Sequence, residues 1–391
     1  MIRCIKTEFY TSKEDLERLF ACNRISAMIW NKCLVLAKEY REANNGKWIS
    51  KRELQSLLKK TYPISAQSVQ SVAERYDDAR VGAKEARGKG YNVNYPWRTK
   101  KNYPTRWKNQ GIKLIGNKLV LPLGTWNGHR QSPITLKLPL SVLNLISDKH
   151  ICVIDLIWDR KLKLSITYDD GKNEEVCNGN IYAGIDLGEI HSITAFSEEG
   201  NALILIGRFL RSINRFRNKK LAELQKKQSK CKKYSRRWKK LQRAKMYMLN
   251  KCEAQVRDFT HKLTKKFVDW AVENNIKCVY CGNPEGVQRK NRGKLVNQKL
   301  SNWNFGVQMN YLKYKLKAKG IELKVISEAY TSQTCPICGQ RHKVKNRNYS
   351  CSCGYNAHRD INGASNILSL GLYGKIKYIH KIINTKYLRS A

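Results

Sequence analysis

Two short cysteine knuckles constrain this chain more than anything else in it. Cys335-x2-Cys338 is followed, twelve residues later, by Cys351-x-Cys353, and Gly339 and Gly354 come directly after the two knuckles. Paired chelating loops that meet across a small hairpin present four soft sulfur ligands in a tetrahedron, the arrangement a structural zinc ion requires. The segment 335–353 must therefore fold around an ion as a small independent staple. The chain has thirteen cysteines, an odd number, and those outside the knuckles are scattered in apolar surroundings such as Cys22, Cys33, Cys152 and Cys278. That usage suits a reducing compartment and not a disulfide framework.

Charge narrows the class further. Lys and Arg number 75 against 31 Asp and Glu, a formal charge of +44 over 391 residues. So large an excess repels itself unless a polyanion neutralises it, and nucleic acid is the natural candidate. No apolar run approaches the ~18–20 residues of a membrane-spanning helix, and the opening MIRCIKTEFY lacks a signal peptide's apolar core. A cytoplasmic, nucleoid-associated protein with no membrane partner is the expectation. The length allows two or three cores.

Along the chain, IRCIKTEF (2–9) alternates like a strand, and Thr11-Ser12-Lys13-Glu14 offers a helix cap. Helical spacing follows, first through Leu16, Leu19, Phe20, Met28 and Leu34, then through Val69, Val72, Tyr76 and Ala79. From 91 to 178 short alternating runs with Pro and Gly turns predict a small β-barrel or sandwich, into which the helical block is inserted. Within it, residues 91–109 interleave Tyr and Trp with Arg and Lys, types that stack on bases and pair with phosphates; aromatic edges beside solvated charges give the same pattern. After a linker, three strands read as a meander: IYAGIDLG, HSITAFS and ALILI. Residues 208–251 are densely basic with Glu223 as the sole acid, and read as a helical hairpin. A helix that continues or restarts at 253–274, a strand at 276–281, a Gly- and Asn-rich loop, a helix ending at Gly320, a strand at 321–327, the cysteine ribbon and a helix at 359–371 complete the series. The order βββ-α-β-α-β-ribbon-α is that of an RNase H-like mixed sheet covered by helices. The tail 374–391 is basic and carries no further signal.

Two carboxylates stand out. Asp186 lies in GIDLG, among apolar neighbours that give an acid no packing reason to be there, although backbone amides at a strand turn would also satisfy it. Asp360 opens the last helix in HRDINGASN, where a helix dipole alone also favours an acid. Carboxylates from distant parts of a chain that meet at a pair of Mg²⁺ ions clamp a scissile phosphate and activate water.

GIDLG, RDFTHKL (257–263), TSQTCPICG and YSCSCGYNAHRDINGASNIL together resemble the TnpB proteins of insertion sequences. These belong to the OrfB zinc-ribbon group of RNA-guided nucleases, related to compact type V CRISPR effectors and to Fanzor. The resemblance covers most of the chain and is specific mainly in 181–370. It implies a multidomain α+β fold: an RNase H-like (RuvC) α/β nuclease domain with an inserted zinc ribbon, and a β-barrel wedge domain carrying an inserted helical recognition domain. The implied boundaries are wedge at 1–10 and 91–178, recognition helices at 11–90, nuclease at 179–330, ribbon at 331–357, final nuclease helix at 358–373 and basic tail at 374–391.

One position departs from the family pattern. The middle acid normally ends the fourth strand, but here that strand reads CVYCGNPEGV and places Cys281 where Glu is usual. A thiol is a poor Mg²⁺ ligand. Two substitutes remain: Glu285, four residues on, and Glu328, which ends the fifth strand just ahead of the first knuckle, where some TnpB and Fanzor members carry their glutamate. Neighbouring strands lie ~4.8 Å apart, so Glu328 is the preferred third acid. The resemblance thus implies a catalytic set of Asp186, Glu328 and Asp360 holding two Mg²⁺ ions, and Cys335, Cys338, Cys351 and Cys353 holding structural Zn²⁺. It implies a guide RNA (omega or right-end type) and double-stranded target DNA as partners, a monomer acting with its RNA, and cleavage beside a short flanking motif. Gln67 and Gln70, on the helix at 67–80, are candidates for reading that motif through adenine edges, and Arg359 for contact with the scissile phosphate. If Glu328 cannot reach the metals, the alternatives are a nuclease-deficient, repressor-like RNA-guided binder or a transposon accessory protein.

Overall fold

The computed structural model describes residues 1–284, 286–287, 291–342, 344 and 346–389. The chain divides into two compact units, Met1–Lys172 and Asn173–Ala391.

In the first unit, β1 (Ile2–Thr7) leads to α1 (Lys13–Ala43), α2 (Lys51–Leu57) and α3 (Ala66–Gly88). Each helix starts at a serine whose side chain accepts a backbone N–H three residues on: Ser12 from Asp15, Ser50 from Glu53 and Ser65 from Ser68. Short strands follow, β2 (Thr105–Lys108), β3 (Lys113–Ile115), β4 (Lys118–Leu121), β5 (Thr125–Trp126), β6 (His129–Arg130) and β7 (Ile134–Lys137). Then come α4 (Leu140–Ile146) and the long hairpin β8 (His150–Asp159) and β9 (Lys161–Asp169). One sheet runs β1-β9-β8-β2, a second β3-β4-β7, and β5 pairs with β6. Helix α4 lies between the strands of this segment. Pro139 ends the β7 run, and Val142, Leu143 and Ile146 then return at helical spacing and are buried.

The helices and strands of this unit share one core, in which Leu19, Trp30 and Tyr76 join Trp107, Leu156 and Ile166. A buried asparagine ties them together. Asn23 on α1 accepts from the Thr105 backbone N–H at 3.0 Å and from its hydroxyl at 2.9 Å, while its amide donates to the Leu156 carbonyl at 3.3 Å.

The second unit is built on a six-stranded sheet. Strands β10 (Ile181–Asp186), β11 (His191–Ser197) and β12 (Asn201–Ile206) precede the helical hairpin α5 (Arg208–Ser229) and α6 (Arg236–Glu273). Next are β13 (Ile276–Asn283), α7 (Lys294–Ser301), α8 (Phe305–Ala318) and β14 (Glu322–Ser327). The chain ends with β15 (Asn348–Ser350), β16 (Asn356–His358), α9 (Arg359–Tyr373) and β17 (Asn384–Arg389). The strand order is β14-β13-β10-β11-β12-β17. The β10-β11-β12 meander is antiparallel, whereas β13, β14 and β17 join in parallel.

Strand alternation sorts the two faces. Ala183, Ile185, Ala195, Leu203, Val279 and Cys281 pack with α6 and α8 residues such as Phe259, Phe267 and Leu312. Phe196, Ala202, Ile204, Cys278 and Tyr280 meet Ile361, Ala364, Ile367 and Leu368 of α9 on the other face. Residues 236–273 form one unbroken helix, so the basic hairpin's second arm continues through 253–273 without a restart. Two features differ from the sequence reading: α7 lies in the segment read as loop, and the tail read as uninformative supplies β17. Every residue of β17 is exposed, so no burial pattern marked it; the backbone ladder to β12 holds it.

Replacing Asn23 with Ala leaves the buried Thr105 N–H without its acceptor. Urea unfolding should show a loss of about 2 kcal/mol in the first unit.

Candidate active site

The fold draws three of the predicted acids toward one corner of the second unit. Asp186 is the last residue of β10, Glu328 follows the last residue of β14, and Asp360 is the second residue of α9. Even-numbered β10 residues face α9, so the Asp186 side chain lies under that helix. A Cβ at Gly363 of α9 would sit 3.1 Å from Asp186 Oδ2. Burial raises the Asp186 carboxyl well above the usual range, and the nearby charges of Glu328 and Asp360 raise it further, against Arg359 and Arg347.

Glu328 occupies space that a glycine vacates. A Cβ at Gly282 would lie 2.5 Å from Glu328 Oε2 and 2.9 Å from Ile367 Cδ1. Burial pushes the Glu328 carboxyl up to about 7. Its Oε2 is buried with no hydrogen-bond partner among the described residues. Cys281, fully buried beside this pair, is held protonated by desolvation and by the Glu328 and Asp186 charges. Glu285, the other substitute considered for the third acid, lies outside the described residues.

Asp360 has the opposite environment. His191 Nδ1 lies 2.7 Å from its Oδ2, Arg347 contacts the same oxygen, and Arg359 donates to Oδ1 from Nε and Nη2 at 3.2 Å. Burial alone would raise this carboxyl, but the His191 hydrogen bond and the two guanidiniums bring it down to about 2. His358 caps α9 by accepting the Asp360 N–H, and His191 Nε2 meets the Tyr387 hydroxyl at 2.9 Å. A cleft of about 400 Å³ opens here, lined by Asp186, Glu189, His191, Gln333, Arg347, Arg359 and Asp360 among others. Glu328 is not part of that lining. Among the described residues, His191, His358 and Asp360 bring three ligand atoms within 4.8 Å of one another; the three acids do not.

The four cysteines form the other close group. The sulfurs of Cys335 and Cys353 are 3.6 Å apart and those of Cys338 and Cys351 3.4 Å, close to the ~3.8 Å edge of a tetrahedron with ~2.3 Å zinc–sulfur bonds. Backbone N–H groups of Ile337 and Cys338 point at the Cys335 sulfur, and that of Cys353 pulls the Cys351 thiol down to about 6. Gly339 and Gly354 turn both knuckles at positive φ. The ribbon then runs from β16 straight into α9, and the Arg359 N–H donates to the Arg347 carbonyl at 2.7 Å.

Two family models match the chain: "Probable transposase" over residues 165–288 and "Cas12f1-like, TNB domain" over 305–367. A putative RNA-guided DNA endonuclease InsQ of Escherichia coli K12 is 27% identical over 281 residues, 67% of this chain and 64% of that protein. TnpB-like protein MJ0751 of Methanocaldococcus jannaschii is 30% identical over 88 residues, 22% of this chain and 31% of that one. The chain is thus similar to TnpB-like proteins over part of its length. Its matches span less than two thirds of the length of these curated relatives. A solved Cas12f1–sgRNA–target DNA complex contains a chain of similar fold, with a TM-score of 0.69 at 18% identity, covering 91% of this chain and 83% of that one. Among the described residues no helix is long and apolar enough to cross a membrane.

The remaining candidates fall elsewhere or take other contacts. Gln67 and Gln70 lie on α3 in the first unit; Gln67 donates to Gln110 at 2.6 Å, and Gln70 is exposed. Arg359 holds Asp360. Sequence reasoning missed His191, Arg347, His358 and Tyr387. Only His191, a polar residue opening an apolar strand, left a trace in the pattern.

The Glu328 shift fixes the sign of a pH effect. The unfolded chain releases this proton near 4.5, the folded chain near 7, so without divalent metal stability falls as pH rises through that window. Asp186 acts in the same direction. Thermal melts in magnesium-free buffer should show Tm dropping from pH 5 to 7.5, and Glu328→Gln should flatten the slope.

Proposed function

We propose that this protein is an RNA-guided DNA endonuclease with an RNase H-like nuclease core in its second unit. The observation that carries the reading is the crowding of Asp186 by Glu328 and Asp360, three acids delivered by β10, the end of β14 and α9. Like charges in a dry site are costly, and the unpartnered Glu328 Oε2 leaves that cost uncompensated. An oxygen-rich, under-neutralised set fits hard divalent cations, so Asp186, Glu328 and Asp360 would hold Mg²⁺. Bound there, such ions activate water and stabilise the charge of a phosphodiester under attack.

The chain's own residues supply the rest. His191 and Arg359 hold the Asp360 carboxylate, and Arg347 brings a guanidinium to the cleft, where a phosphate would find it. The four cysteine sulfurs fit Zn²⁺, whose part is to fix the hairpin that carries Arg347. The fold shared with a chain from a Cas12f1–guide–DNA complex, together with the +44 charge, supports guide RNA and duplex DNA as partners, held by backbone geometry. In this proposal the first unit holds the wedge strands and recognition helices, with Gln67 and Gln70 offered to the flanking motif. The absence of Glu328 from the cleft lining favours a second reading, a guided binder that does not cut.

Sequencing the RNA that copurifies, then presenting matched duplex DNA with Mg²⁺, separates the two. Cleavage should fall about 100-fold or more in Asp186→Ala, Glu328→Ala and Asp360→Ala alike. Full cutting by the Glu328 variant removes that residue from the site; tight guided binding without any cutting establishes the second reading. Metal analysis should find one zinc per chain, and Cys338→Ser should lose it along with thermal stability.

A further inference from the structure

We infer that Tyr387, on the C-terminal strand, is a positioning residue that acts through His191 to fix the Asp360 carboxylate; the inference rests on the metal-dependent reading above. Three side chains donate to Asp360. Arg347 stands on the ribbon hairpin and Arg359 on α9 itself, whereas His191 opens β11, the strand paired with β10. Of these donors, His191 alone shares the sheet with Asp186. It therefore sets the position of one acid relative to the other, which two carboxylates serving a common metal pair need.

An imidazole does this only if its ring is held. His191 is 5% exposed; its Nδ1 lies 2.7 Å from Asp360 Oδ2 with Arg347 Nη1 farther off at 3.4 Å, and its Nε2 meets the Tyr387 hydroxyl. The Asp360 carboxylate only accepts, so in the neutral imidazole Nδ1 carries the hydrogen and Nε2 accepts from the Tyr387 hydroxyl at 2.9 Å. The phenol also meets the imidazole edge-on, with ring centroids 5.6 Å apart. Tyr387 is itself fixed by register: β17 pairs in parallel with β12 from Asn201↔Asn384 to Ile206↔Arg389, with Tyr387 opposite Ile204. A strand with every residue exposed buries little of its own. A plain sheet-edge cover needs no particular side chain at 387, but a relay to Asp360 needs a hydroxyl there.

The test uses full-length protein and Mn²⁺ as the probe, followed by electron paramagnetic resonance and counted only as the binding that Asp186→Ala removes. His191→Asn should weaken that binding about 10-fold or more. Tyr387→Phe, which keeps the ring and removes one hydrogen bond, should weaken it about 5-fold with Tm little changed. The double variant should bind no more weakly than His191→Asn, because both changes break one chain of contacts. Unchanged Mn²⁺ binding in Tyr387→Phe, or effects that add in the double variant, overturns the relay and leaves β17 as an edge cover. If His191→Asn does not fold, the phenylalanine variant still decides. Failure of the unaltered protein to bind Mn²⁺ overturns the metal-dependent reading first, and the relay with it.

Discussion

Like charge in a dry corner is the constraint on which this structure turns. Asp186 is pressed against α9 under Gly363, Glu328 fills the space left by Gly282, and Asp360 stands at the helix start. Among the described residues only Asp360 has its counter-charges built in, from Arg347 and Arg359, with the His191 ring hydrogen-bonded beside them. The protein thus neutralises one acid and leaves two in debt. A sheet filled on both faces supplies the apolar burial that keeps such an arrangement folded. The opposite displacements of Asp360, down to about 2, and Glu328, up to about 7, are two responses to the same burial, one compensated and the other not.

The cysteine ribbon belongs to the same electrostatic arrangement. Its second hairpin ends at His358, α9 begins at Arg359, and no linker separates them. Asn366 donates to the carbonyls of Thr331 and Thr334, and Asn362 to that of Thr334, so α9 also grips the loop entering the first knuckle. Tyr349 lies fully buried in the hairpin, stacked on His342 with ring centroids 4.9 Å apart. Whatever fixes the four sulfurs therefore fixes Arg347, and through it the charge beside Asp360. The ribbon is a lever on the site and more than a local staple.

Much of this was legible in the chain because it is written locally. The knuckles declare themselves by spacing and by glycines that must turn at positive φ. Asp186 is visible because an acid among Ile185 and Leu187 breaks the strand pattern, whereas Glu328 stands out only through the family resemblance, which implies an acid where this chain has Cys281. The unread parts depend on partners distant in sequence. Tyr387 is one exposed residue in a basic tail, and its meaning comes from His191, 196 positions away. Arg347 is one cation among many in a basic loop. Helix α7 and strand β17 lack a buried face, so periodicity had nothing to report.

The basic hairpin shows how far charge alone carries the argument. Its sole acid, Glu223, is already taken by Lys220 and Lys227, each at 2.7 Å. Among the described residues only Arg211, Lys220 and Lys227 of the cations in 208–251 reach a carboxylate. Burial between α5 and α6 is slight: Ile213, Leu224, Met248, Cys252 and Val256 make a thin core. Two helices so charged repel each other along their length, and that core offsets little of the repulsion. Salt screens such repulsion at about 10 Å in dilute buffer, and a bound polyanion removes it outright by replacing small counterions with fixed phosphates. The hairpin's stability and the proposed guide's affinity are then one electrostatic quantity observed from two sides, and both should weaken or strengthen together as phosphate contacts are lost or gained.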